Sequence, residues 1–180
     1  MGHSQSILIL GGARSGKSSF AQALAEEMAR SRGGRPGIVA TAEALDDEMA
    51  ARINKHKSDR GDEWLSAEEP LDLPSELLRF APQCGSILVD CLTLWLSNLM
   101  HAQRNLEEEA QALIAALNSC VVPVIMVSNE VGLGLVPETP LGRAFRDAQG
   151  RLNQDVAQAC DQVTFIAAGL PLHLKGSASL

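Results

Sequence analysis

The chain has 180 residues, enough for one domain with a real core and too few for two ordinary ones. An apolar fraction of 46% excludes a disordered chain, and no apolar run approaches the roughly 20 residues that span a bilayer. With 15 basic against 22 acidic residues, a net charge of −7 and 3% aromatics, nucleic acid is not an expected partner: phosphate would be repelled and bases would find few stacking platforms.

Residues 1–6 read as a flexible terminus, although Met-Gly-His-Ser-Gln-Ser formally fits a myristoylation pattern. Ile7 to Leu10 is a continuous apolar run closed by Gly11-Gly12, the mark of a buried parallel strand. From Ser18 to Arg30, Phe20, Ala21, Leu24, Ala25 and Met28 recur at helical spacing. A turn over 31–37 leads into a strand at Ile38–Thr41. A helix over about 46–57 follows, opened by Asp46, Asp47 and Glu48, where negative charge suits the helix dipole.

Residues 58–85 are polar and proline-punctuated, a loop with one short helix. Ser86–Asp90 (SILVD) predicts a third strand, followed by helices over about 93–101 and 107–120. Val121–Val127 predicts a fourth strand that tolerates Pro123 only near its start. A loop over 132–140, a helix over 141–159 and a fifth strand over 163–168 complete the pattern. Alternation of this kind implies an α/β domain, a mainly parallel sheet with helices on both faces, spanning 1–180. Cys84, Cys91, Cys120 and Cys160 form no CxxC pair, so reduced thiols in a cytoplasmic protein are expected.

Gly11-Gly12-Ala13-Arg14-Ser15-Gly16-Lys17-Ser18 matches GxxxxGK[ST], after a predicted strand and opening a predicted helix. Glycines let backbone N–H groups surround phosphates, and the helix N-terminus favours the negative charge. Lys17 would reach the β- and γ-phosphates and the Ser18 hydroxyl would ligate Mg²⁺. The architecture expected is therefore that of a P-loop NTPase, RecA-like. Asp90 ends the apolar strand Ile87-Leu88-Val89, where a second acidic group completes Mg²⁺ binding in such proteins; it also reads as a helix-capping aspartate. Asp147-Ala148-Gln149-Gly150 has DxxG spacing but lies in a predicted helix, and Asn129-Glu130-Val131-Gly132 is not the NKxD guanine reader, so a GTPase switch is weakly supported.

GGARSGKS at 11–18, DDEMAARINKHK at 46–57, Trp64 followed by Glu68, VSNEVGLGLVPE at 127–138 and FRDAQGRLNQ at 145–154 occur together in this order. In these the chain resembles the bifunctional adenosylcobinamide kinase/adenosylcobinamide-phosphate guanylyltransferases of cobalamin biosynthesis, over nearly its whole length. The resemblance implies phosphorylation of adenosylcobinamide by ATP or GTP. GMP transfer from GTP to the resulting phosphate would follow, through a GMP–histidine intermediate at His56. Read by itself, a helix-surface histidine between Lys55 and Lys57 is solvent-facing decoration, yet a neutral imidazole there is a competent nucleophile. Flanking lysines would hold its pKa down, and Arg52 one turn earlier could contact the transferring phosphate.

By the same resemblance, nucleotide contacts fall at Ala40, Thr41, Ala42, Lys57, Ser58, Asp59, Arg60, Glu68 and Asp90. Glu68 could accept from the guanine N1–H and amino group, or be a plain surface carboxylate. Asn129, Glu130, Arg143, Arg146, Asp147, Arg151 and Asn153 suit substrate positioning or a subunit contact without individual roles. The resemblance further implies Mg²⁺ with the nucleotide, no tightly bound organic cofactor, and a homotrimer with sites between subunits. A monofunctional P-loop kinase, using Lys17, Ser18 and Asp90 but no nucleophilic histidine, is the main alternative. A nucleotide-dependent switch protein is a second.

Overall fold

In the computed structural model, residues 4–42 and 63–176 are described. The SILILG run forms β1 (Ser6–Gly11), almost wholly buried, as a run apolar on both faces must be. It leads into α1 (Lys17–Ser31), then β2 (Pro36–Ala40), β3 (Leu65–Glu68), α2 (Leu73–Phe80) with a 3₁₀ turn at Ala81–Gln83, and β4 (Ser86–Asp90). The rest is α3 (Leu92–His101), α4 (Leu106–Ser119), β5 (Val124–Asn129), α5 (Pro140–Ala159), β6 (Gln162–Ala167) and β7 (Leu170–Lys175). The expected helix over 46–57, with His56 and its neighbours Lys57, Ser58, Asp59 and Arg60, lies outside the described residues.

The strands form one sheet in the order β3-β2-β4-β5-β1-β6-β7, parallel except for the last pair. Side chains alternate between its two faces, one residue in two. Ile7, Ile9, Ile38, Leu88, Ile125, Val127 and Ile166 pack on one face with Ala21 and Ala25 of α1. Leu8, Val39, Ile87, Val89, Met126 and Val163 pack on the other, under α2 to α5. Helices on both faces of a mainly parallel sheet are what the alternation of elements implied. Asn105 caps α4, its side chain accepting from the Glu107 and Glu108 N–H groups, and Thr139 caps α5 by accepting from Gly142.

Two strands escape the sequence reading, one at each edge. Strand β3 (LSAE) alternates between half-buried and exposed residues and offers no apolar run. Strand β7 (LPLHLK) is exposed throughout and carries Pro171, which only an edge strand accommodates. The β6–β7 hairpin turns through Ala168 and Gly169, with φ of 51° and 80°; two positive values match a type I′ turn, which suits the strand twist. Strand β5 starts three residues later than the apolar run, at Val124, because the ladder begins beyond Pro123. It continues to Asn129, where it still pairs with Gly11.

Candidate active site

The phosphate loop occupies the turn from β1 to α1. Gly16 caps α1 at φ 96° with no side-chain cap, so no side chain of its own fills the first-turn N–H groups. A Cβ at Gly16 would stand 3.2 Å from the Gly169 α-carbon, and one at Gly11 only 2.6 Å from the Ile166 carbonyl oxygen. Both positions therefore admit only glycine without a shift of backbone. Arg14, at the exposed apex, adopts a left-handed conformation (φ 55°). Gly169 N–H donates to the Ser15 carbonyl at 2.8 Å, tying the β6–β7 turn to the loop. The Ser15 hydroxyl is buried with no hydrogen-bond partner among the described residues.

Lys17 is the first residue of α1 and is buried; its Nζ donates to the Gly12 carbonyl at 2.9 Å, bending back over the loop. Burial lowers its pKa from the ordinary lysine value, while the neighbouring Cys91 thiol and Asp90 carboxylate oppose that shift. The loop, Lys17 and the end of β4 thus share one electrostatic neighbourhood. Ser18 follows in the first turn, half-buried. Ser18 and Asp90 supply hydroxyl and carboxylate oxygens, the hard donors that Mg²⁺ takes, and Mg²⁺ needs only one or two of them when phosphates complete its shell.

The remaining expected contacts among the described residues lie at the carboxyl ends of neighbouring strands, where open α/β sheets hold ligands. Ala40 of β2 registers with Asp90 on one side and Glu68 on the other. Thr41 is fully buried and its hydroxyl is used twice: it donates to the Cys91 carbonyl at 2.7 Å and accepts from the Cys91 N–H at 3.0 Å. Its own carbonyl accepts from Asn98 at 2.8 Å. Thr41 therefore ties β2 to the turn after β4, and of these three residues Ala40 and Ala42 are the half-exposed ones. Glu68 is exposed at the end of β3.

Sequence reasoning left one feature of this edge without a role. Asn129 ends β5, between β1 and β4. Its N–H donates to the Thr93 hydroxyl at 2.8 Å and its carbonyl accepts from Asn153 Nδ2 at 3.1 Å. The Asn153 Oδ1 in turn accepts from the Ser128 hydroxyl at 2.6 Å and from Gln149 Nε2 at 3.0 Å. Gln149 is wholly buried, with its Oε1 unpartnered among the described residues. The signal was present as two amides four residues apart on the apolar side of a helix. A cavity of about 340 Å³ between α3, α4 and α5, lined by Trp95, Leu99, Ala110, Arg151 and Leu152 among others, shares no residue with this edge.

Residues 7–174 match the family model of cobinamide kinase / cobinamide phosphate guanyltransferase, CobU. The chain belongs to this family. It is 46% identical over 171 residues to the bifunctional adenosylcobalamin biosynthesis protein CobP of Pseudomonas aeruginosa, covering 94% of this chain and 96% of that one. To the CobU proteins of Salmonella typhimurium and Escherichia coli it is 39% and 35% identical, over 94% of this chain and 99% of each relative. Among solved structures, the flagellar accessory protein FlaH of Methanocaldococcus jannaschii superposes with a TM-score of 0.56 at 14% identity, covering 97% of this chain and 80% of that one. The KaiC-like protein PH0186 of Pyrococcus horikoshii gives 0.53 at 15%, covering 91% and 71%. Phage phi6 P4 protein, solved with ADP, gives 0.51 at 15%, covering 93% and 52%. At such identities the likeness is one of fold alone, the mainly parallel sheet with helices that the alternation of elements implied.

Proposed function

We propose that this CobU-family chain phosphorylates adenosylcobinamide and then guanylylates the phosphate, with the strand ends and the phosphate loop as the nucleotide site. The observation that carries the reading is the loop itself: an uncapped helix start, two positions closed to any side chain, and Lys17 folded over Gly12. In the first step the substrate hydroxyl oxygen bonds to the γ-phosphorus of ATP or GTP. The bond from that phosphorus to the β-phosphate oxygen breaks, the nucleoside diphosphate leaves and the hydroxyl proton is lost. In the second, an imidazole nitrogen of His56 bonds to the α-phosphorus of GTP as pyrophosphate leaves. An oxygen of the cobinamide phosphate then displaces the histidine from that phosphorus, giving adenosylcobinamide-GDP.

In this reading Gly11 to Ser18 hold the phosphates, and Ser18 and Asp90 hold Mg²⁺, which when bound would neutralise phosphate charge. Ala40, Thr41, Ala42, Lys57, Ser58, Asp59, Arg60 and Glu68 line the nucleoside and the transferring phosphate, Glu68 reading guanine. The protein acts in the cytoplasm, a reading supported by four cysteines that are all free and buried. Among the described residues no helix is long and apolar enough to cross a membrane. It works as a homotrimer; edge strand β7 supports self-association, with Leu170, Leu172 and Leu174 at 57–70% exposure.

The deciding experiment follows both products in one mixture of adenosylcobinamide, ATP and α-labelled GTP. An acid-labile labelled adduct on the protein, absent in His56→Ala, is expected. Phosphorylated substrate without any adduct under turnover would leave a kinase alone and remove the transferase half.

A further inference from the structure

We propose that the Asn129 carboxamide contacts the terminal phosphate of the bound triphosphate, and that Asn153, Gln149 and Ser128 are positioning residues that fix its height. The inference rests on the reading of residues 11–18 as the nucleotide cradle. Strand β5 lies between β1, which carries that loop, and β4, which ends in Asp90. Asn129 stands opposite Gly11 in the β1–β5 register. Two residues earlier, Val127 packs on the α1 face, while Ser128 bonds Asn153 of α5 on the opposite face. Alternation along the strand therefore turns the Asn129 side chain to the face that carries the loop and α1.

That side chain is half-buried, and no described residue hydrogen-bonds its carboxamide, whereas its backbone is held at both ends by Thr93 and Asn153. Thr93 follows Asp90 by three residues, so one contact sets Asn129 against the metal-ligand end of β4. In the proposed site Ser18 and Asp90 would hold a metal that neutralises charge on the terminal phosphates, and a group between Asp90 and the loop faces that end of the chain. A carboxamide offers two N–H donors to phosphoryl oxygens without adding a fixed charge. The buried amides on α5 are needed for this rather than for packing. Apolar side chains at 149 and 153 would fill a helix–sheet contact without leaving the Gln149 Oε1 unpartnered, but they would release the Asn129 carbonyl.

The test uses the purified full chain, with calorimetric binding of ADP and of a β,γ-imido ATP analogue beside steady-state phosphoryl transfer. Asn129→Ala should lower kcat by roughly tenfold to a hundredfold, as loss of a hydrogen bond to a charged group does. It should weaken the analogue by about the same factor and leave ADP within about twofold. Asn153→Ala should lower kcat several-fold with KM unchanged and narrow the preference for analogue over ADP in the same direction. Equal weakening of ADP and analogue, or kcat within twofold of the parent, overturns the proposal in any variant that melts within a few degrees of the parent. Asn129→Ser, judged by the same criteria, replaces a variant that does not fold. Lys17→Ala separates the two readings. Loss of both ligands leaves the cradle standing whatever Asn129 does, and retention of both removes the cradle, and with it the role of Asn129.

Discussion

The two faces of the sheet are covered on different terms. Among the described residues, one carries a single helix, α1, seated through Ala21 and Ala25, which expose no surface. The other carries four, seated through large side chains such as Leu77, Trp95, Leu99 and Leu113. Small residues let a helix backbone come close to the strands, and the phosphate loop needs that closeness, because its glycines are fitted against Ile166 and Gly169. Large residues bury more area and contribute more to stability. In the proposed function the thin side holds the chemistry, while the thick side holds the fold together. The polar network of α5 is where the thick side reaches through to the site.

The largest effects should separate the two faces cleanly. Lys17→Ala removes a buried cation from the thin side, so both transfer reactions should fall about a hundredfold to a thousandfold. Its melting temperature should hold or rise, because a desolvated amine has gone. Trp95→Ala on the thick side should do the reverse. It opens a cavity and orphans the Leu71 carbonyl that Nε1 now bonds at 2.8 Å, costing about 3–5 kcal/mol. Below its melting temperature kcat should stay within a few-fold. If Trp95→Ala lost activity while still folded, the division of labour would be wrong.

Ala25→Leu is an intermediate case that mixes the two. Overpacking under α1 should cost about 1–3 kcal/mol and displace the loop, so denaturation midpoint and kcat should fall together. A loss confined to stability would mean that α1 tolerates a shift without moving the loop.

The smallest effect is shared by both faces. Burial pushes the Cys91 thiol on the thin side up to about 11 and the Cys160 thiol on the thick side up to about 12. Each stays protonated in the folded chain above pH 9, where the unfolded chain has begun to release its proton. Their contribution is thus fully present below about pH 9 and is lost as pH rises through the folded values. Unfolding free energy should decline between pH 9 and 11, with less slope in Cys160→Ala than in the parent; an unchanged slope would place its origin elsewhere.

How much of this could be read beforehand follows from where the signal lies along the chain. The turn from β1 into α1 and the strand end at Asp90 were legible because each follows an apolar run, and the order of elements implied helices on both faces. Strands β3 and β7 were not, since an edge strand half or wholly exposed leaves no apolar run to notice. His56 drew its role from the family pattern alone. The contact between Asn153 and Asn129 was hidden for a different reason: the amides sit on an ordinary amphipathic helix, and their partners are supplied by a strand far off in sequence.

The β6–β7 turn that bonds Ser15 has a consequence for how the protein is made. The loop leaves the ribosome long before Gly169, which braces it, and β6, against which Gly11 fits. The nascent chain therefore carries a complete phosphate motif throughout synthesis of the segment between them without the surroundings that shape it. Nucleotide capture would report that translation has passed β6 and the β6–β7 turn.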